Sequence, residues 1–513
     1  MNHNRLKSGK STTQIIGLII GPALFLSTLF FSNISPENPV LTRMIAFTLL
    51  MVVWWITDAI PLFATALLPM IFYPLLGILK STATAPIYFN STIFLFLGGF
   101  MIALTMEKWN LHKRIALFII KIIGGGPHRI ILGFMLASAF LSMWISNTAT
   151  AIMMVPIGLA IVLQLEEDFS VTETGQFTTC LMLGIAYGCS IGGIATLVGT
   201  PPNLSFVQIF HITFPAAEPV AFGDWMLMAF PISMLMLVIV WLMLSKILFR
   251  IPARLRIDQK IINQEYIALG SMSYEEKVVM IIFSLTAVLW VFRKTLNLGF
   301  VSIPGWSQLL PYPALVDDAT VALTMAMLMF IIPARNKSVK DATLMGTDVV
   351  KKLPWDIVLL FGGGFALAKG FQVTGLSTFI GNQFSGLAGT PPLLMVFAIC
   401  SGIIFLTELT SNTATTEMIL PVLASVAVAM QTNPLLLMVP ATLSASCAFM
   451  FPVATPPNAI VFGSGRVKIS DMVRAGIYIN IMGIIVISFL FYLIGTAVFS
   501  IDLDVFPAWA QIE

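Results

Sequence analysis

Along the chain, apolar runs of about 20 residues alternate with short breaks in which the charged residues collect, and that is the length a helix needs to cross a bilayer. Reading runs and breaks predicts eleven crossings, near 13–32, 39–56, 58–79, 86–107, 175–213, 224–249, 275–293, 314–333, 355–371, 435–464 and 473–498. Two further apolar stretches, 127–164 and 391–428, are each 38 residues long and carry Ser-Asn-Thr at their middle. One span would be too long. Two half-length helices meeting at a tip, a re-entrant hairpin, fit better, because irregular backbone at membrane depth must line a cavity or be buried in protein. The pattern predicts an all-α polytopic membrane protein with about eleven transmembrane helices and two re-entrant hairpins.

The basic residues orient it. Arg5, Lys7 and Lys10 precede an apolar run from Thr13 to Phe31 that is long for a signal peptide and lacks a small-residue cleavage site, so it reads as a retained first span. With the N-terminus cytoplasmic, 22 basic residues fall on the inside. Arg43, Lys80, Arg293, Lys294 and Lys369 fall outside, the asymmetry expected of cytoplasmic loops. The implied organisation is an N-terminal segment and first span over 1–38, a first repeat over 39–249, and a polar cytoplasmic linker over 250–274. A second repeat over 275–498 and an external tail over 499–513 follow. The linker's charge run reads as a solvated cytoplasmic face. The expected location is the cell membrane.

The two halves match at a fixed offset. Phe100, Ser142, Asn147, Thr148 and Pro156 meet Phe365, Thr407, Asn412, Thr413 and Pro421, each 265 residues on. Thr200-Pro201-Pro202-Asn203 meets Thr455-Pro456-Pro457-Asn458 at 255, which a ten-residue insertion in the loop from Glu166 to Gly175 accounts for. Five crossings, an odd number, separate the two tips, so the hairpins are expected to open to opposite faces. Inverted repeats with interrupted helices mark a transporter, with its site at the repeat interface near the midplane.

Composition narrows the class. Of 513 residues, 58% are apolar and 10% charged, with 27 basic against 24 acidic, where a soluble domain carries roughly 25% charged. A soluble enzyme, a nucleic-acid binder and a disordered chain are excluded. Cys180, Cys189, Cys400 and Cys447 form no CxxC and read as small buried apolar side chains. His3, His112, His128 and His211 are scattered without metal-ligand spacing. No nucleophile–base pair is visible, which leaves an intramembrane enzyme with little support.

Ser146-Asn147-Thr148 and Ser411-Asn412-Thr413 sit where one helix ends and another begins. The starting helix aims free N–H groups and the positive end of its dipole at the tip, and the ending helix offers carbonyls. Such a tip can hold an anion beside a cation. In the Thr-Pro-Pro-Asn motifs proline breaks the helix, freeing the Gly199 and Ala454 carbonyls for a cation and the threonine hydroxyls for a ligand. Singly, each motif is equally well explained by interhelical hydrogen bonding or a kink; four motifs in symmetric order are not.

No Lys or Arg occurs from Ile130 to Ser245 or from Gly370 to Gly465, the stretches that hold all four motifs. An anion there lacks a fixed countercharge, which is costly away from water. Bound cations supply it, making anion binding conditional on cation binding. Oxygen-only ligands select a hard cation, and the lack of carboxylates in the tripeptides favours sodium over calcium. Asp58, Glu408 and Glu417 could carry protons, or equally cap helices or pair with neighbours.

These residues resemble a known family. ISNTATAIMMVPIGLA, GTPPN, TELTSNTATTEMILPV and ATPPNAIVFGSG, with WWITDAIPLFATALLP and LPWDIVLLFGGGFALAKG, are similar to the divalent anion/sodium symporters, nearest their bacterial sodium-dependent dicarboxylate branch, over about 13–498. The resemblance implies substrate contacts from Asn147, Thr148, Asn412 and Thr413, with Thr200, Pro201, Thr455 and Pro456 completing the site. It implies a first sodium site at Ser142, Ser146, Asn147 and Gly199 and a second at Thr407, Thr410, Asn412 and Ala454. It also implies a homodimer with fixed scaffold domains and transport domains that move as elevators. The expected function is inward symport of a C4-dicarboxylate such as succinate, malate or fumarate with at least two sodium ions. The alternatives are a sodium-independent exchanger of the same fold and an ion or proton antiporter or channel.

Overall fold

The computed structural model describes residues 10–252, 255, 260–297, 301–336, 342–384, 386, 389–503 and 505–511. Arg5, Lys7, Arg254, Arg256, Lys337 and Lys340 of the cytoplasmic set, and His3, lie outside the described residues, as does the side chain of Lys260. Among the described residues, nine helices are long and apolar enough to cross a membrane: Thr12–Phe31, Pro39–Thr57, Ser81–Lys108, Asn147–Asp168, Val171–Ile194, Phe222–Leu248, Trp355–Thr374, Asn412–Ala429 and Ile469–Val498.

Local sequence fixes where several helices start. Ser11 and Gln14, Ser170 and Glu173, and Ser273 and Glu276 form reciprocal capping boxes, while Asn90 and Asp317 cap Ser91–Lys108 and Asp318–Ile331.

Three expected crossings are not continuous helices. The 58–79 stretch, rich in proline, splits into Leu62–Thr65 and Leu68–Leu76. The 175–213 stretch is Val171–Ile194 followed, after an unwound segment, by Pro201–Thr213; 435–464 is Leu435–Ala445 followed by Pro456–Gly463. The expected crossing at 314–333 is the 14-residue helix Asp318–Ile331. Each Ser-Asn-Thr stretch is a pair of helices with a break at the tip: Pro127–Ser142 with Asn147–Asp168, and Pro392–Thr407 with Asn412–Ala429. The first limbs have 16 residues each. The second limbs have 22 and 18 and are longer than half-length helices.

Val171–Ile194 is the central post. Gly184, Gly188 and Gly192 recur every four residues on the face against Pro127–Ser142. A Cβ on Gly188 would lie 2.8 Å from the Met135 carbonyl oxygen, and one on Gly192 2.2 Å from that of Ala139. Only glycine permits this approach, the way small residues draw helices together where lipid gives no hydrophobic drive.

The polar linker is more than a solvated face. Its helix Lys260–Ala268 carries Glu265, which pairs with Lys113 at 2.9 Å. Arg114 forks onto Glu276 at 2.8 and 3.1 Å and also donates to the Leu269 and Gly270 carbonyls. At the other end of the chain, Trp509 of the tail packs its ring 5.5 Å from those of Phe210 and Phe214.

Candidate functional site

Four helix N-termini meet at one cavity of about 810 Å³. They are the starts at Asn147 and Asn412, behind Ser146 and Ser411, and at Pro201 and Pro456, behind Thr200 and Thr455. Neither Ser146 nor Ser411 caps its own helix with its side chain, so the first-turn N–H groups stay available to the cavity. The other two starts differ chemically. Two prolines remove the first two N–H donors at each, so they contribute dipole and threonine hydroxyl rather than amide hydrogens. Thr455 spends part of its hydroxyl on the Asn458 amide N–H at 3.3 Å.

Of the residues the sequence singles out, Ser146, Asn147, Thr148, Gly199, Thr200, Pro201, Thr410, Asn412, Thr413, Ala454, Thr455 and Pro456 all line this cavity. Ser142 and Thr407 lie behind it, fully buried.

Behind the first tip, oxygens converge. A Cβ on Gly199 would fall 2.5 Å from the Gly193 carbonyl oxygen and 2.9 Å from that of Ser142; one on Gly193 would fall 3.0 Å from Asn147 Oδ1 and 3.1 Å from the Gly199 carbonyl oxygen. Among the described residues, Ser142 Oγ, which lies beside the Cys189 thiol, and Asn147 Oδ1 are buried with no hydrogen bond to another oxygen or nitrogen. Unpartnered buried oxygens beside backbone carbonyls are the donor set a hard cation takes. The second half is arranged otherwise. Thr407 Oγ1 lies 2.7 Å from Asn412 Oδ1 and 2.9 Å from the Ala445 carbonyl oxygen, and Thr410 Oγ1 bonds Thr415 and the Leu406 carbonyl. The structure thus brings Thr407 and Asn412 together, while the Thr410 hydroxyl is engaged with its own helix end. A cation there would displace an existing hydrogen bond.

Two asparagines hold the unwound segments in shape. Asn203 Nδ2 donates to the carbonyls of Gly193 (3.2 Å) and Thr196 (2.7 Å), and Asn458 Nδ2 to those of Ala448 and Phe451 (both 3.1 Å). These acceptors are themselves 255 residues apart, so the repeat is written in bonds as well as letters. The motif spacing was the only sequence signal for this role.

The two halves are pinned differently at their tips. Glu408, 2% exposed, accepts the backbone N–H groups of Phe449 (2.6 Å), Met450 (2.9 Å) and Phe451 (3.3 Å) and the Asn480 amide (2.8 Å). Its counterpart 265 residues earlier is Met143, whose carbonyl accepts the Thr196 hydroxyl instead. The structure shows Glu408 paired with the backbone of the non-helical segment between Leu435–Ala445 and Pro456–Gly463. Glu417 lies away from the cavity and bonds Ser205.

Three charged side chains at the cavity are supplied from elsewhere. Lys10 precedes the first helix and reaches the Ala59 carbonyl at 3.5 Å; Asp58, in a left-handed conformation (φ 48°), ends Pro39–Thr57; Asp356 opens Trp355–Thr374. All three are exposed. The lysine-free and arginine-free motif stretches therefore do not make the whole cavity free of basic side chains, because Lys10 comes to it from another part of the chain. No lysine or arginine stands on any of the four helix starts.

The chain matches the family model described as the sodium:sulfate symporter transmembrane region over residues 13–501. It is 42% identical over 497 residues to the sodium-dependent dicarboxylate transporter SdcS of Staphylococcus saprophyticus, covering 95% of this chain and 93% of that one. To SdcS of Staphylococcus aureus strain MRSA252 it is 43% identical over 506 residues, covering 98% and 95%. Among solved structures it is similar in fold to the YdaH transporter of Alcanivorax borkumensis (TM-score 0.57, 13% identity, 89% of this chain and 98% of that one). It is also similar in fold to MtrF of Neisseria gonorrhoeae (TM-score 0.53, 13% identity, 92% and 98%). Its all-helical membrane fold, its interrupted helices and the match along almost its full length lead to one assignment: the chain is a multi-pass membrane transporter belonging to the sodium:sulfate symporter family.

Proposed function

We propose that this protein is a sodium-coupled symporter that brings a C4-dicarboxylate such as succinate, malate or fumarate into the cell. The observation that carries the reading is the meeting of four helix N-termini, two of them opened by asparagine, on one cavity backed by two clusters of oxygen ligands. Carboxylates would take the N–H groups and side chains of Asn147, Thr148, Asn412 and Thr413, with Thr200 and Thr455 flanking. Sodium would be held by Ser142, Asn147 and Gly199 in one half and by Thr407, Asn412 and Ala454 in the other, with Ser146 and Thr410 beside them. Bound sodium supplies the positive charge that the helix starts lack as side chains. The names of the staphylococcal relatives support both the ion and the substrate class.

Energetics favour coupling. A dianion entering an inside-negative cell opposes ~4.6 kcal/mol per 100 mV, at ~2.3 for each charge. Two sodium ions cancel this, and a tenfold sodium gradient then supplies about 1.4 kcal/mol per ion. In the orientation expected from the basic residues, Lys10, Asp58 and Asp356 would lie at the cytoplasmic end of the cavity. The two helix pairs act as re-entrant hairpins of inverted repeats, moving as elevators within a homodimer.

Uptake of labelled succinate into proteoliposomes tests the reading. Equal uptake with sodium or choline outside rejects coupling. Asn147→Ala and Asn412→Ala are expected to abolish uptake while the protein still elutes as a folded species. A sodium-independent exchanger would instead need dicarboxylate on the far side.

A further inference from the structure

Glu417 is a buried acid that neither the cavity nor the cation ligands use. It sits five residues into Asn412–Ala429, fully buried. One oxygen, Oε1, accepts from Ser205 at 2.5 Å; the other, Oε2, has no hydrogen-bond partner among the described residues. Oε2 faces Gly364, where a Cβ would lie only 1.6 Å from it, so the glycine makes the space the carboxyl fills.

The contrast with Glu408 is informative. There the chain surrounds a buried carboxylate with three backbone N–H groups and an amide. At Glu417 it supplies a single hydroxyl, which can either donate or accept. An ionised carboxylate accepts only, and here Oε2 would be left with no donor among the described residues. The helices packed against Asn412–Ala429 bring no countercharge. Lys369 and Asp356 lie on Trp355–Thr374, His211 on Pro201–Thr213, Cys400 on Pro392–Thr407 and Arg43 on Pro39–Thr57; Leu376–Gln383 and Leu435–Ala445 carry no titratable group. Lys369 bonds Gln372, Arg43 bonds the Leu76 carbonyl, Asp356 lines the cavity and His211 is exposed. None pairs with Glu417.

We propose that Glu417 is an internal proton-binding site, whose protonated carboxyl, hydrogen-bonded to Ser205, fastens the helix that starts at Asn412 to the helix that starts at Pro201. The ligand is read as a proton and not an alkali ion, since Ser205 is the hydrogen-bond partner Glu417 has among the described residues, where sodium needs several converging oxygens. Binding forms one O–H bond on the carboxylate and needs no other reactant. The bond joins one helix from each repeat, so loss of the proton sets an uncompensated buried charge between two of the four helix starts at the cavity. The transport consequence rests on the proposed dicarboxylate uptake; the protonation itself does not.

Infrared difference spectra of the full-length protein in lipid, wild type against E417Q at pH 7, test the protonation directly. A carboxylic-acid C=O band that shifts in D₂O and is missing in E417Q is expected. It should persist at higher frequency in S205A, which loses only the hydrogen bond. Uptake of succinate should fall about tenfold across the alkaline titration of the wild-type band and by less than about twofold in E417Q over the same pH range. Absence of the band overturns the proposal. So does its disappearance when sodium replaces choline at constant pH, which would make this an alkali-ion site, or an equal alkaline fall in E417Q. Should E417Q not fold, S205A and pH titration of the wild-type band decide the matter. A present band without any uptake would count against the transport reading and leave the proton site standing.

Discussion

Replacing Glu408 by glutamine tests how the second half-site is held. The carboxylate takes three consecutive backbone N–H groups of the unwound segment before Thr455, through both oxygens, and the Asn480 amide as well. Glutamine keeps one acceptor oxygen and turns an NH₂ toward backbone donors. With its oxygen in the Oε1 place, glutamine leaves the buried Phe451 N–H without its acceptor and facing NH₂ instead, so the segment is destabilised by about 1–3 kcal/mol. The same segment carries the Ala454 carbonyl and presents Thr455. If most of that cost is felt as displacement of the ligands, sodium binding weakens by about five- to a hundredfold, at 1.4 kcal/mol per decade. The assay is the half-saturating sodium concentration for succinate uptake, together with the sodium-dependent rise in melting temperature of the purified protein. Met143→Leu is the control, since in the first half a backbone carbonyl does the pinning, and its sodium dependence should stay near wild type. A sodium dependence of E408Q within about twofold of wild type would show that the segment holds its shape without the carboxylate, and the argument would fail.

Other consequences can be measured on the same preparations. Asn203→Asp and Asn458→Asp preserve shape but set a carboxylate against buried carbonyls, so each should lower thermal stability by about 1–3 kcal/mol or more and weaken sodium stabilisation; unchanged melting curves refute the staple role. Gly192→Val pushes a side chain into the Ala139 backbone and should cost about 1–3 kcal/mol or more, seen as loss of the monodisperse species on fluorescence-detected chromatography. Arg114→Met leaves Glu276, with its side chain 7% exposed, without its partner, a loss of about 3–5 kcal/mol that the double variant with Glu276→Met should partly recover; equal melting temperatures for the single variant and wild type refute the clamp.

Much of this molecule was legible in one dimension because the information is local or periodic. Apolar run length places the helices, a Ser-x-x-Gln box starts the first of them, and prolines mark where Pro201–Thr213 and Pro456–Gly463 must begin. Repeat spacing alone paired Asn147 with Asn412 and the two proline motifs, and those residues do line one cavity. Where the reading failed, local chemistry was read too smoothly. The 58–79 run is mostly apolar after Asp58, yet its prolines divide it into two short helices.

Tertiary structure decided what lies between distant segments, since no spacing rule links residues that meet only after the helices pack. It brings Lys10 to the cavity from outside both repeats and joins Glu408 to backbone 41–43 residues away. It also gives two equally acidic side chains opposite surroundings, four donors for one and a lone hydroxyl for the other. The sequence names the groups that can bind ions and where helices must break. Which of those groups are left without a partner depends on packing, because hydrogen-bond satisfaction belongs to the whole fold and not to any stretch of it.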